Sequence, residues 1–138
     1  MRRVVLSVVA GLLVTSCGAQ TEEERVVERV KAAQQARLDK DGEAFCEFYT
    51  GRMRRELAAT MAILGAKNCA DAAQRVLDTE GPEDDEDYRR SQEALSADDI
   101  RIRGSRATVS YVSGNQQPLA KVADEWYLDG SAKKPRRG

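Results

Sequence analysis

The chain has 138 residues, enough for a single domain with a modest core, and a third of them are charged. Its 22 Lys+Arg against 23 Asp+Glu leave no global basic field to attract nucleic acid. The absence of histidine removes both the side chain most easily tuned for proton transfer near neutral pH and the commonest nitrogen ligand for metals.

Arg2 and Arg3 precede an apolar run, Val4 to Val14, broken only by Ser7 and Gly11. A membrane-spanning helix needs about 20 apolar residues, so this run reads as a removed export signal over residues 1–16. It closes with Val14-Thr15-Ser16-Cys17, which resembles the lipobox of bacterial lipoproteins. The resemblance implies cleavage before Cys17, a diacylglyceryl thioether on it, and attachment to the extracytoplasmic face of the cell membrane. The alternative is an ordinary secretory signal with a chance cysteine. Two or more acyl chains hold stably where one is marginal. Residues 17–21 would form a short lipidated tether.

Thr21-Glu22-Glu23-Glu24 fits a helix-opening capping box, and Val26, Val27, Val30, Ala33 and Leu38 follow at helical spacing until Asp41-Gly42. A second helical stretch, Glu43 to Tyr49, concentrates Phe45, Cys46, Phe48 and Tyr49 as core. Thr50 caps a third helix with Leu57, Met61 and Leu64 on one face and Gly65 as a left-handed stop. Asn68 opens a fourth, with Cys69, Ala72, Ala73, Val76 and Leu77 inward, and Gly81-Pro82 ends it. With Cys17 assigned to lipid, Cys46 and Cys69 form an even pair in an oxidising compartment, most simply a disulfide. Two buried thiols or a metal site are the rivals, without a histidine or Cys-x-x-Cys spacing to support the latter.

Glu80 to Asp87 carries no apolar residue to bury and reads as an exposed loop. Asp84, Asp85, Glu86 and Asp87 offer oxygens for calcium, but the spacing of an EF-hand loop is missing, so no metal or other cofactor is expected. Tyr88 to Leu95 reads as a helical turn or two. From Asp99 the period changes to two: Ile100 and Ile102, then Ala107, Val109 and Tyr111 across a Gly104-Ser105 turn. Leu119–Val122 and Trp126–Leu128 complete four short strands, and residues 131–138, with Lys133, Lys134, Arg136 and Arg137, read as a disordered basic tail that could also lie on anionic headgroups. The class is therefore α+β, with N-terminal helices packed on a short curved antiparallel sheet in a cone-like arrangement.

Lys40-Asp41-Gly42-Glu43-Ala44-Phe45-Cys46, the Ile100 to Val109 hairpin and Asp124-Glu125-Trp126-Tyr127-Leu128-Asp129 together resemble the nuclear transport factor 2-like superfamily, over about residues 22–130. The resemblance implies a cone whose interior Phe45, Phe48, Tyr111 and Trp126 would line, although as core filler they need no ligand. An enzyme is not expected. Tyr49, Tyr111 and Tyr127 have no carboxylate at a telling distance in the chain, Asp124 and Glu125 read as a polar hairpin corner, and no Gly-x-Ser-x-Gly motif occurs. The expected role is a membrane-tethered binding or interaction domain for a small apolar ligand or a protein partner. The alternatives are a structural envelope protein and, last, a cone-fold enzyme.

Overall fold

The computed structural model describes residues 18–136; the signal segment, the lipobox-like residues with Cys17, and Arg137 and Gly138 lie outside them. The described chain is α+β, with helices α1 (Glu22–Leu38), α2 (Gly42–Glu47), α3 (Gly51–Met61), α4 (Cys69–Leu77) and α5 (Pro82–Ala94) preceding strands β1 (Ile100–Arg103), β2 (Arg106–Ser110), β3 (Gln116–Val122) and β4 (Glu125–Leu128). The strands form an antiparallel meander in the order β1-β2-β3-β4. No helix among the described residues is long and apolar enough to cross a membrane.

The opening of α1 follows from its caps. The Thr21 hydroxyl accepts from the Glu24 amide at 3.2 Å, and the Glu24 carboxylate accepts from the Thr21 amide at 3.0 Å. Val26, Val27, Val30 and Ala33 then lie on one face of the helix, which the sheet covers with Ile100, Val109, Leu119, Trp126 and Leu128. Strand register explains this inner set: Ile100 stands opposite Val109, Ala107 opposite Leu119, and Leu119 opposite Leu128, so alternate residues of all four strands share one face.

A second cluster, Ala36, Phe45, Cys46, Ala73 and Leu77, joins α1, α2 and α4. Phe48 and Tyr49 pack against both clusters, and the backbone there is bonded to the edge of β4, Leu128 N–H to Phe48 C=O at 2.7 Å and Thr50 N–H to Leu128 C=O at 3.0 Å. The disulfide between Cys46 and Cys69 ties α2 to the first residue of α4 across a Cα separation of 6.1 Å. Closing a loop of this size stabilises by about 3 kcal/mol in the chain-entropy picture. Asn68 and Thr50 cap α4 and α3 as their side chains suggest, through Asp71 and Met53 amides.

Three expectations are corrected. Glu80 to Asp87 is not a loop, because Pro82 opens α5 rather than closing α4. Proline at the first helical position has its φ preset and no amide to leave unpaired, Glu83, Asp84 and Asp85 suit the positive end of the dipole, and the Asp84 carboxylate accepts from the Gly81 amide at 2.9 Å. The third helix does not bury an apolar stripe: Leu57 is partly covered, whereas Leu64 and its neighbour Ile63 are 60% and 90% exposed. The tail is paired where it leaves the sheet. Because β3 is longer than β4, Gln116 has free backbone groups, and Lys133 bonds both, at 2.8 and 2.9 Å.

Gly42 has a role other than ending a helix. The left-handed residue at that corner is Lys40, with φ of 55°, and Gly42 instead sits where α2 crosses α4: a Cβ there would lie 2.6 Å from the Gln74 amide nitrogen and 2.7 Å from the Ala70 carbonyl oxygen. Gly42→Ala forces two backbones apart and is expected to cost about 2 kcal/mol in urea unfolding, although alanine favours a helix.

The start of α1 is also bolted to the far hairpin. Glu22 Oε2 accepts from Lys121 Nζ and from the Trp126 indole N–H, each at 3.0 Å. Lys121 first, then Trp126, with Arg25 adding to them against the opposing effect of burial, lower the Glu22 carboxyl from 4.5 to about 2. Such a group adds stability that is complete above pH 4.5 and lost as the pH falls toward about 2. Because Glu22 is solvent-accessible the effect is modest. Acid unfolding followed by the fluorescence of Trp126, the single tryptophan, is expected to show this loss, and Glu22→Gln is expected to flatten the profile across that window.

Candidate functional site

The C-terminal half of α1 extends past the sheet's apolar cover and forms one wall of a cleft of about 690 Å³. Val30, Ala33, Gln34 and Arg37 supply that wall. Phe45 and Tyr49 come from the α2 corner, Tyr88 and Ser91 from α5, and Tyr111, Gln117 and Leu128 from the sheet. Ser131 and Ala132, held beside β3 by the Lys133 pairing, close one side.

Arg37 determines the electrostatics of this wall. Its guanidinium lies 4.3 Å from the centroid of the Tyr88 ring and 5.3 Å from that of Phe45, and its Nε donates to Glu80 Oε1 at 2.8 Å, with Nη2 donating to the same oxygen. Burial is the largest single influence and opposes the charge on Arg37, but the bond to Glu80 together with the fields of Tyr88, Glu80 and Tyr49 outweighs it and holds the guanidinium above its ordinary value. Lys40 extends the network, 2.8 Å from Asp85 and 3.7 Å from Glu80. Arg37 to Glu80 ties the segment leading into α5 to α1, Lys40 to Asp85 ties α5 to the corner after α1, and Gln92 donates to the Lys31 carbonyl at 3.0 Å; these contacts dock α5, which buries no residue fully.

Three of the four tyrosines meet in the cleft, and burial raises each phenol above its usual range. They are therefore neutral hydroxyls at physiological pH, able to donate and accept. Tyr111 donates to Gln117 Oε1, and Gln117 Nε2 donates to the Gly130 carbonyl at 3.1 Å, which accounts for one buried glutamine. Tyr49 meets Phe45 edge to face, with centroids 5.1 Å apart. Gln34 is different. It is 8% exposed, its Nε2 donates to Ser91 Oγ at 3.2 Å, and its Oε1 has no partner.

Of the four aromatic residues expected to line an interior, Phe45 and Tyr111 do so and Phe48 and Trp126 do not. Phe48 lies under the Arg29 guanidinium at 4.5 Å, between the two apolar clusters. Trp126 is 3% exposed at the opposite end of α1, where its indole N–H is taken by Glu22. Gln34, Arg37, Tyr49, Tyr88 and Gln117 are the lining residues that sequence reasoning missed. A signal existed for two of them: Gln34 and Arg37 follow Val30 by four and seven positions, so they prolong the buried face of α1 with polar side chains. No protein-family model matches this chain, and no match is found among curated proteins or solved structures.

Glu80→Gln leaves the Arg37 charge half-enclosed without its counter-ion. The expected loss is about 2 kcal/mol, since one partner of a largely buried pair is removed. Hydrogen exchange is the discriminating measurement: amides of residues 82–94 are expected to lose protection before those of β3, because α5 depends on this contact and the sheet does not.

Proposed function

We propose that the chain is a lipid-anchored extracytoplasmic binding domain that takes a small, largely apolar ligand in the cleft between α1, α5 and the open end of the sheet. The cleft carries this reading. It has the size and the mixed lining of small-molecule sites, with aromatic walls and a few polar groups in fixed positions. Its phenols stay protonated well above neutral pH, and the buried carboxylate of Glu80 is occupied by Arg37, an arrangement suited to binding rather than to proton transfer.

The anchor rests on the export signal and on Val14-Thr15-Ser16-Cys17. Only Gly18, Ala19 and Gln20 separate Cys17 from the cap of α1, and extended residues reach about 3.5 Å each, so the domain would stand close to the headgroups. The cone-like resemblance over residues 22–130 belongs to the same proposal, and the helices-then-meander order supports it. A second reading, a structural envelope protein acting through surface contacts, is favoured by exposed Ile63 and Leu64 at the end of α3.

Growth with labelled palmitate tests the anchor: label is expected on the parent chain and absent from Cys17→Ser, and an unlabelled parent overturns it. An environment-sensitive naphthalene dye tests the cleft. Its emission is expected to rise on binding the parent, and its apparent affinity to fall by about ten-fold with Ala132→Trp, which narrows the cleft from an exposed lining position.

A further inference from the structure

The cleft has an apolar, aromatic interior with no free cation among the described residues, and one polar atom left over. Arg37 is neutralised by Glu80, and at the rim Arg90 is paired with Glu86 at 2.9 Å and with Asp87 at 3.5 Å. An anionic ligand would therefore lose its hydration without gaining a free counter-charge, since the lining Asp84 adds only a further carboxylate. The left-over atom is Gln34 Oε1, on a side chain 8% exposed that lines the cleft. Its own Nε2 is engaged by Ser91, so the amide is held at one end and unsatisfied at the other. Leaving a buried acceptor unpaired is a cost that a native structure seldom carries without a use. The terminal torsion of a glutamine is broad, so the amide can turn its oxygen toward the cleft, giving up the bond to Ser91 as the ligand's donor pairs Oε1.

Resting on the binding reading above, we infer that the ligand is a flat-ringed amphiphile without negative charge, whose single hydroxyl or N–H donates to Gln34 Oε1 while its ring packs among Phe45, Tyr49 and Tyr111. The ring follows from the walls: Phe45 and Tyr49 are already set edge to face at 5.1 Å, a geometry that a third ring extends. The donor follows from the oxygen, which accepts only. The tyrosine hydroxyl of Tyr49 makes no side-chain hydrogen bond among the described residues and stands on the α2 side of the same cleft, where it can meet the oxygen of the ligand's hydroxyl.

The test uses the full chain as the cell processes it, held in lipid nanodiscs, with three probes: 2-naphthol, 2-methoxynaphthalene and 2-naphthoate. Binding is read from NMR shifts of the Gln34 side-chain amide and the Ala33 methyl. In the parent, 2-naphthol is expected to bind about ten-fold tighter than its methyl ether, and 2-naphthoate weakest. Gln34→Met, of the same shape without the amide, is expected to erase the difference between the first two by weakening 2-naphthol alone. Comparison of the two proteins cancels partition of the probes into lipid. The variant removes an unpaired polar group and is expected to unfold no earlier than the parent; Gln34→Leu is read in the same way. Equal affinities of 2-naphthol and the ether in the parent overturn the donor assignment and leave an apolar cleft standing. Tightest binding of 2-naphthoate overturns the exclusion of anions. Failure of all three probes to move either resonance overturns the inference and the cleft reading together.

Discussion

Val26, Val30 and Ala33 lie along one line of α1, and the inner residues of all four strands close over that line. The sheet has only four short strands and cannot bury its own face, while most of the apolar cover of the α1 stripe comes from that sheet, with Leu95, Phe48 and Tyr49 at its margin. Each completes the other, and burial at about 25 cal/mol per Å² makes this the largest favourable contribution in the domain. The other helices attach to the result. The α2–α4 pair forms a smaller cluster against Ala36 and Phe45, and α5 arrives through charge and amide contacts.

The ends of α1 are held by different chemistry. At its start, Glu22 collects Lys121 and the Trp126 indole, so the helix and the β3–β4 hairpin share one hydrogen-bonded corner. At its end, the guanidinium of Arg37 stands between two rings and over a buried carboxylate. The apolar stripe runs between the two. Where the sheet stops covering it, the same face of the helix becomes a cleft wall, which is why Gln34 and Arg37 occur in register with Val30.

Local chemistry made much of this legible. Thr21, Thr50 and Asn68 bond to amides three residues on, an interaction contained within one turn, and each opens a helix where its residue type suggests. Alternation over Ile100 to Val109 shows the strand faces, and the even pair Cys46 and Cys69 is bridged. Features that rest on distant partners were hidden. The α5 helix has no apolar stripe, and its reasons for docking, Arg37 to Glu80 and Lys40 to Asp85, join residues more than 40 positions apart. Lys133 pairs only because β3 outruns β4. Aromatic content alone likewise does not tell which end of α1 a ring will meet, and so Trp126 and Tyr111 could not be separated in advance.

The length of α1 has one more consequence. Its 17 residues span about 25 Å, so Gly18 and the Arg37 end of the cleft wall stand at opposite ends of the helix. If residue 17 is fixed at a bilayer, as proposed, and α1 rises along its normal, the helix acts as a standoff: the corner of Glu22 and Trp126 is the base plate, and the opening beside Tyr88 and Ser131 is carried outward into the aqueous layer. A solute would then be met from the water side, not drawn laterally out of the lipid.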